Sequence, residues 1–238
     1  MRFEIIAAGE GSRLAKEGVK EPKPLVRIHG EALIDRLIRI FMNNGATAIS
    51  VICNDIYTDV SRHLVDIQND GLHGMPIPLS FYIKSTPSSM HSFYELSKHM
   101  HEPEPFILTT VDTIFKEEEF SEYVKAFKEQ LAKGYDGVMG VTDFIDDEKP
   151  LYVGTDGNMD INGFYDEPHD TRYISGGIYG LAPQDIDTLK RCMERRESRM
   201  RNFQRALVAE KRRLKAWNFS KVLDIDHKSD IQKAEKFL

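Results

Sequence analysis

The chain has 238 residues, 41% of them hydrophobic, and a formal net charge of −6 at pH 7. That is enough apolar material for a sizeable core in one α/β domain, and the acidic balance argues against general nucleic-acid or membrane binding. Cys53 and Cys192 have no metal-type spacing, the sequence contains no 18-residue apolar stretch, and no apolar signal segment precedes Gly9, so a cytoplasmic location is expected.

Residues 3–8 read as a buried strand that ends abruptly at Gly9. A loop of small and charged residues follows, Gly9-Glu10-Gly11-Ser12-Arg13, and Lys23 stands ten residues beyond Arg13 between Pro22 and Pro24. Small residues let a backbone approach a ligand closely and turn its N–H groups toward phosphate oxygens. Arg13 and Lys23 supply the positive charge that a triphosphate needs. Taken alone, Gly-x-Gly after a strand is as often an ordinary tight turn. A Walker loop is excluded because no Gly-Lys-Ser/Thr follows. A dinucleotide fingerprint is disfavoured by Leu14, where glycine is required, and by a first helix expected to be displaced by the Pro22–Pro24 segment.

Helical spacing at Leu33, Ile34, Leu37, Ile38 and Phe41 predicts a helix over 33–42, stopped by Asn44-Gly45. Strands are expected at 48–53, 79–83 and 106–110, and helices at 57–67, 88–100 and 117–131. This alternation predicts an α/β fold, Rossmann-like, with a mostly parallel sheet and helices on both faces. After Asp136 the rhythm changes. Strands are expected at 137–142, 152–155, 159–164 and 173–181, then helices over 185–197 and 201–213, a strand over 216–223 and a last helix over 229–237. One domain over 1–238 is the simplest account, with an acceptor-side subregion at about 137–182. Between Lys190 and Lys215 eleven Lys or Arg face three Glu; with Phe203 as the one interleaved aromatic, solvated helix faces are a better reading than a nucleic-acid stripe.

The run from Ile5 through Ala7-Ala8-Gly9-Glu10-Gly11-Ser12-Arg13, followed by Lys23-Pro24-Leu25, resembles the N-terminal signature of the nucleotidyltransferases that make nucleotide-sugars, the NDP-sugar pyrophosphorylase family. The resemblance implies a glycosyltransferase-A-like nucleotidyltransferase fold. It also implies nucleotide contacts at Ala7, Ala8, Gly9, Gly11 and Ser12, and catalytic roles for Arg13 and Lys23.

Asp112 ends the run Phe106 to Asp112, so a carboxylate sits just past a buried strand. Mg²⁺ takes few protein carboxylates and completes its shell with water and phosphate oxygens, although an Asp standing alone here is better read as capping the next turn. In the family this strand ends Gly-Asp-Thr with a metal-binding Asp; Asp112-Thr113 is similar, with Val111 in place of the glycine. The run Asp224-Ile225-Asp226 puts two acids on one side of a strand. It resembles the family's closing motif, which implies a second Mg²⁺ ligand at Asp224 or, as the alternative, Asp226. Gly177 in Ser175-Gly176-Gly177-Ile178-Tyr179 resembles a glycine lying against the sugar, while a strand bulge explains it as well. Asp166-Glu167-Pro168 is a poor copy of the family's Glu-Lys-Pro acceptor motif, with Asp166 for the Glu and Glu167 reversing the charge of the Lys. Ser88 and Ser89 stand where many members read the base, although Ser88 also suits a helix N-cap, the reading favoured here.

The implied reaction is transfer of a nucleoside monophosphate from an NTP to a phosphorylated acceptor, with Mg²⁺ as cofactor and pyrophosphate released. A sugar 1-phosphate is the leading acceptor. The alternatives are a phosphocholine-type cytidylyltransferase and a non-catalytic nucleotide-sugar sensor. No nucleic acid or membrane partner is expected, and the oligomeric state is left open.

Overall fold

The computed structural model describes residues 1–146 and 148–238. The first half contains β1 (Arg2–Ala7), α1 (Ser12–Lys16), a 3-10 turn (Lys23–Leu25), β2 (Arg27–Ile28), β3 (Glu31–Ala32), α2 (Leu33–Asn43), β4 (Ala48–Cys53), α3 (Thr58–Asp70), β5 (Leu79–Ile83), α4 (Ser89–Ser97), β6 (Phe106–Thr110) and β7 (Thr113–Ile114). Next come α5 (Glu117–Ala132), β8 (Gly137–Thr142), β9 (Tyr152–Thr155), β10 (Ile161–Tyr165), β11 (Tyr173–Leu181), α6 (Asp185–Glu194) and α7 (Met200–Ala209). The chain finishes with β12 (Leu214–Phe219), β13 (Leu223–Asp224) and α8 (Lys228–Phe237).

The main sheet runs β10-β9-β11-β6-β1-β4-β5, with β8 beside β11 and β12 beside β8. Strands β5, β4, β1 and β6 are mutually parallel, β12 runs parallel to β8, and β11 is antiparallel to both β6 and β8. The sheet is thus mostly parallel across the half that carries the glycine loop and mixed beyond it.

Alternation along β1 decides which side chain feeds which face. Phe3, Ile5 and Ala7 enter a core with α2, α3, α5 and α8. Ile6 enters a second core with α4, α6 and α7. Helix α2 shows why the sequence pattern was informative: Leu33, Ile34, Leu37, Ile38, Ile40 and Phe41 are all buried, each stabilising by roughly 1.5–3 kcal/mol relative to exposure. Phe41 stacks on Phe3 with ring centroids 4.4 Å apart, which ties the helix to the central strand. Among the described residues no helix is long and apolar enough to cross a membrane.

Of four departures from the expected elements, three have local causes and the fourth is set by pairing with a distant strand. A short helix does follow the glycine loop at once, and it ends before Gly18, whose φ is +85°. The helices expected to run to 197 and 213 stop at Glu194 and Ala209, ahead of Arg196 at φ +58° and Lys211 at φ +60°. The single strand expected over 216–223 is two. β12 extends the main sheet, whereas β13 leaves it and pairs antiparallel with β7, Asp224 opposite Thr113.

Candidate active site

The site forms where loops leave the carboxyl ends of β1, β4, β5 and β6, the edge at which open α/β sheets bind ligands. In the glycine loop Gly11 has φ +61°, and a Cβ there would stand 3.2 Å from Lys23 Cβ. A glycine is therefore what lets the loop close over the turn carrying Lys23. Asn54, buried just past β4, donates from Nδ2 to the carbonyls of Ala8 at 3.4 Å and Gly9 at 3.2 Å. Its Oδ1 accepts from the Ile56 and Tyr57 N–H groups, and the Tyr57 hydroxyl donates to the Glu10 carbonyl at 3.0 Å. Three consecutive loop carbonyls are thus held from the β4 side.

Lys23 is the centre of the charge arrangement. Its Nζ donates to Asp112 Oδ2 at 2.7 Å and to Asp226 Oδ1 at 2.8 Å. The other Asp226 oxygen lies 3.1 Å from Arg13 Nη1. Burial alone would pull the Lys23 pKa down, but the two carboxylates overcome it and hold the lysine charged well above its ordinary range. Asp112 shows the converse: burial opposes its charge, and Lys23 with a Thr110 hydrogen bond holds the carboxyl below its ordinary value. The β7–β13 pairing assembles this group, with the Ile225 N–H donating to the Asp112 carbonyl at 3.2 Å. Below it, the Thr110 and Thr113 hydroxyls hydrogen-bond at 2.7 Å.

Two clefts meet at these charges. The glycine-loop cleft, about 360 Å³, is walled by Ala8, Gly9, Glu10, Lys23 and Asp112 on one side and Thr86, Ser88, Ser89 and Ser92 on the other. The β11 cleft, about 310 Å³, is walled by Arg13, Asp224 and Asp226 together with Thr142, Ser175, Gly176 and residues at the start of α8. Lys23 opens on the first and its partner Asp226 on the second.

The expected residues fall into three groups. Ala8, Gly9, Lys23, Ser88, Ser89 and Asp112 line the glycine-loop cleft, and Arg13, Asp224 and Asp226 line the β11 cleft. Ala7 is buried in the core, Ser12 is the exposed first residue of α1, and Gly11 packs on Lys23. Gly177 sits in a bulge of β11 at φ +69°, next to the cleft-lining Gly176. Asp166 lies apart from both clefts, ion-paired with Arg201 at 2.5 Å and Arg205 at 2.7 Å. Ser88 does occupy the N-cap of α4, but its hydroxyl makes no cap. It bonds His91 Nδ1 at 2.8 Å and accepts the Arg199 N–H at 3.2 Å. Val111, standing for the family's glycine, packs into the core while its strand end still walls the glycine-loop cleft. The sequence reading missed Asn54, Tyr57, Thr86 and Thr110; the one signal for Asn54 was its place just after a strand.

The site is thus a glycine loop at the ligand-binding edge of an open α/β sheet, with Lys, Arg and Asp between two clefts. A profile of the family described as nucleotidyl transferase matches residues 5–238, and the chain belongs to that family of enzymes. Solved structures with a similar fold include a Bacillus anthracis protein assigned as a glucose-1-phosphate thymidylyltransferase, in complex with sucrose. It has a TM-score of 0.83 at 16% identity over 100% of this chain and 94% of that one. The inositol-1-phosphate CTP transferase of T. maritima gives 0.73 at 20% identity over 99% and 96%. A UDP-glucose pyrophosphorylase complexed with UDP-glucose gives 0.80 at 14% identity over 99% and 97%. No curated protein matches the chain in sequence.

Proposed function

We propose that the chain transfers a nucleoside monophosphate from a nucleoside triphosphate to the phosphate of a small acceptor, a sugar 1-phosphate, and releases pyrophosphate. The observation that carries this reading is the Lys23–Asp226 pair, which joins a cleft holding Lys23 and Asp112 to one holding Arg13 and Asp226. Such an arrangement suits a reaction between two anionic substrates arriving from opposite sides.

A phosphate monoester has a second pKa of about 6 and is largely ionised near neutrality. No general base is required; the chemistry needs in-line positioning and charge neutralisation. In this reading the cleft wall of Thr86, Ser88, Ser89 and Ser92 faces the nucleoside. Arg13, with its side chain 54% exposed, exchanges Asp226 for the departing pyrophosphate. Lys23 holds the α-phosphate and the incoming acceptor phosphate. Gly177 and the bulge around it shape the acceptor wall within the 137–182 subregion, and Asp166 acts there through α7.

Among the described residues no group of three or more His, Cys, Asp or Glu forms a metal cage. Mg²⁺ needs none, since it takes one or two carboxylates and fills its octahedron with water and substrate oxygens. Asp112 beside Asp224 and Asp226 offers hard oxygen donors of that kind, brought together by the β7–β13 pairing. Asp112 with Asp224 would hold the ion, which when bound neutralises phosphate charge.

The test is pyrophosphate release from a matrix of CTP, UTP, dTTP, GTP and ATP against glucose 1-phosphate, inositol 1-phosphate and phosphocholine, with Mg²⁺. Release with one triphosphate and a sugar phosphate, lost in Lys23→Ala, is the expected result. Release with phosphocholine alone would replace the acceptor. Tight binding of a finished nucleotide-sugar without any release would mark a sensor.

A further inference from the structure

Helix α7 presents one polar side chain to a face that is otherwise apolar. Gln204 is 1% exposed, between Phe203 and Leu207 of the second core. Burying a primary amide is costly unless its hydrogen bonds are made. Gln204 Nε2 makes one with Ser175 Oγ at 3.1 Å, and Ser175 lines the β11 cleft.

The backbone around Ser175 is fixed independently of that bond. Its N–H donates to the Leu151 carbonyl at 2.9 Å, and the bulge between Ser175 and Ile178 shifts the register against β8. A serine hydroxyl has two lone pairs and one proton. Helix α7 is itself braced from outside the cleft: Arg201 pairs with Asp166 and donates to the Lys149 carbonyl at 3.1 Å.

We propose that Gln204 is a positioning residue for acceptor recognition: its amide occupies one lone pair of the Ser175 oxygen and turns the Ser175 proton into the β11 cleft. The group recognised there is an oxygen with a lone pair, a ring or hydroxyl oxygen of a polyhydroxylated phosphate. An alkylammonium phosphate, which carries no such oxygen beyond its phosphate ester, gains nothing from it. This inference rests on the acceptor reading of the β11 cleft.

The experiment measures steady-state pyrophosphate release and calorimetric binding with glucose 1-phosphate, inositol 1-phosphate and phosphocholine as probes. The variants are Ser175→Ala, Gln204→Leu, Gln204→Glu and the double Ser175→Ala/Gln204→Leu. Ser175→Ala and Gln204→Leu are each expected to raise KM or Kd for the polyhydroxylated probe about five- to tenfold, the scale of one hydrogen bond. The triphosphate KM should stay put and the double variant should be no worse than either single one. Gln204→Glu, which accepts the serine proton instead of donating, should reproduce the loss while keeping the side-chain volume. An unchanged acceptor KM in Ser175→Ala, or additive effects in the double variant, overturns the proposal with the transferase reading intact. A wild-type protein that neither turns over nor binds any of the three probes overturns both.

Discussion

Lys23 and Asp112, 89 residues apart in sequence, meet at 2.7 Å, and each holds the other in its charged form. Lys23→Met should therefore do two things. Pyrophosphate release should fall by about 10²–10³-fold, the scale for removing one group that stabilises transition-state charge. The Asp112 carboxyl, relieved of its cation but still buried, should titrate at higher pH than in the wild type. Carboxylate-selective NMR titration reads the second effect without any turnover. An unshifted Asp112 would mean that the ion pair is not formed in solution.

The two closing acids, Asp224 at the end of β13 and Asp226 just beyond it, should separate by phenotype. Asp226 pairs with both Lys23 and Arg13, so Asp226→Asn should lower turnover at saturating Mg²⁺. Asp224→Asn leaves those pairs in place and should raise the Mg²⁺ needed for half-maximal release, on the order of tenfold, as even groups that only support a metal ligand do. Reversal of the two phenotypes would assign the ion to Asp226.

Gly177→Ala tests the bulge of β11. At φ +69° a side chain is strained, and the new Cβ would lie 3.3 Å from Thr113 Oγ1. A cost of roughly 1–2 kcal/mol is expected, which lowers Tm by about 2–8 °C for a chain of this length. Gly157→Ala, with nothing within 4 Å of its Cβ, is the control and should leave Tm unchanged.

Glu4 predicts a stability that declines toward alkaline pH. It is fully buried in β1, with one oxygen accepting from Ser50 Oγ at 3.3 Å and the other without a partner among the described residues. Burial, opposed by Arg2, pushes its pKa up from 4.5 to about 8. Between those values the folded state keeps a proton that the unfolded state has released, so stability falls as pH rises through that window and levels off above it. Glu4→Gln should remove this slope and be more stable than the wild type at pH 8.5 by on the order of a few kcal/mol, read by urea unfolding at pH 5 and pH 8.5.

The strands at Ala48–Cys53, Leu79–Ile83, Phe106–Thr110, Gly137–Thr142, Tyr152–Thr155 and Tyr173–Leu181 were legible to the residue, because each is a β-rich run bounded by turn chemistry. The turn at Gly9–Gly11 after β1 was legible for the same local reason. Hidden from the sequence were contacts set by chain return. Nothing local says that Asp224 pairs with Thr113, that Asn54 holds the loop carbonyls, or that Asp166 is engaged by Arg201 and Arg205 from a helix whose charges read as a solvated face. Gln204 was masked within that same basic stretch, since one buried amide does not change a helical period.

The bond between Lys23 and Asp226 spans 203 residues, and that separation governs when the site can exist. Closing so long a loop is unfavourable until the intervening sheet has already drawn the ends together. On a ribosome that delivers residues from the N-terminus, the glycine loop and Lys23 emerge first and wait for almost the whole sheet. The Lys23–Asp226 pair is thus completed only when the segment of β13 docks on β7, a late event of synthesis.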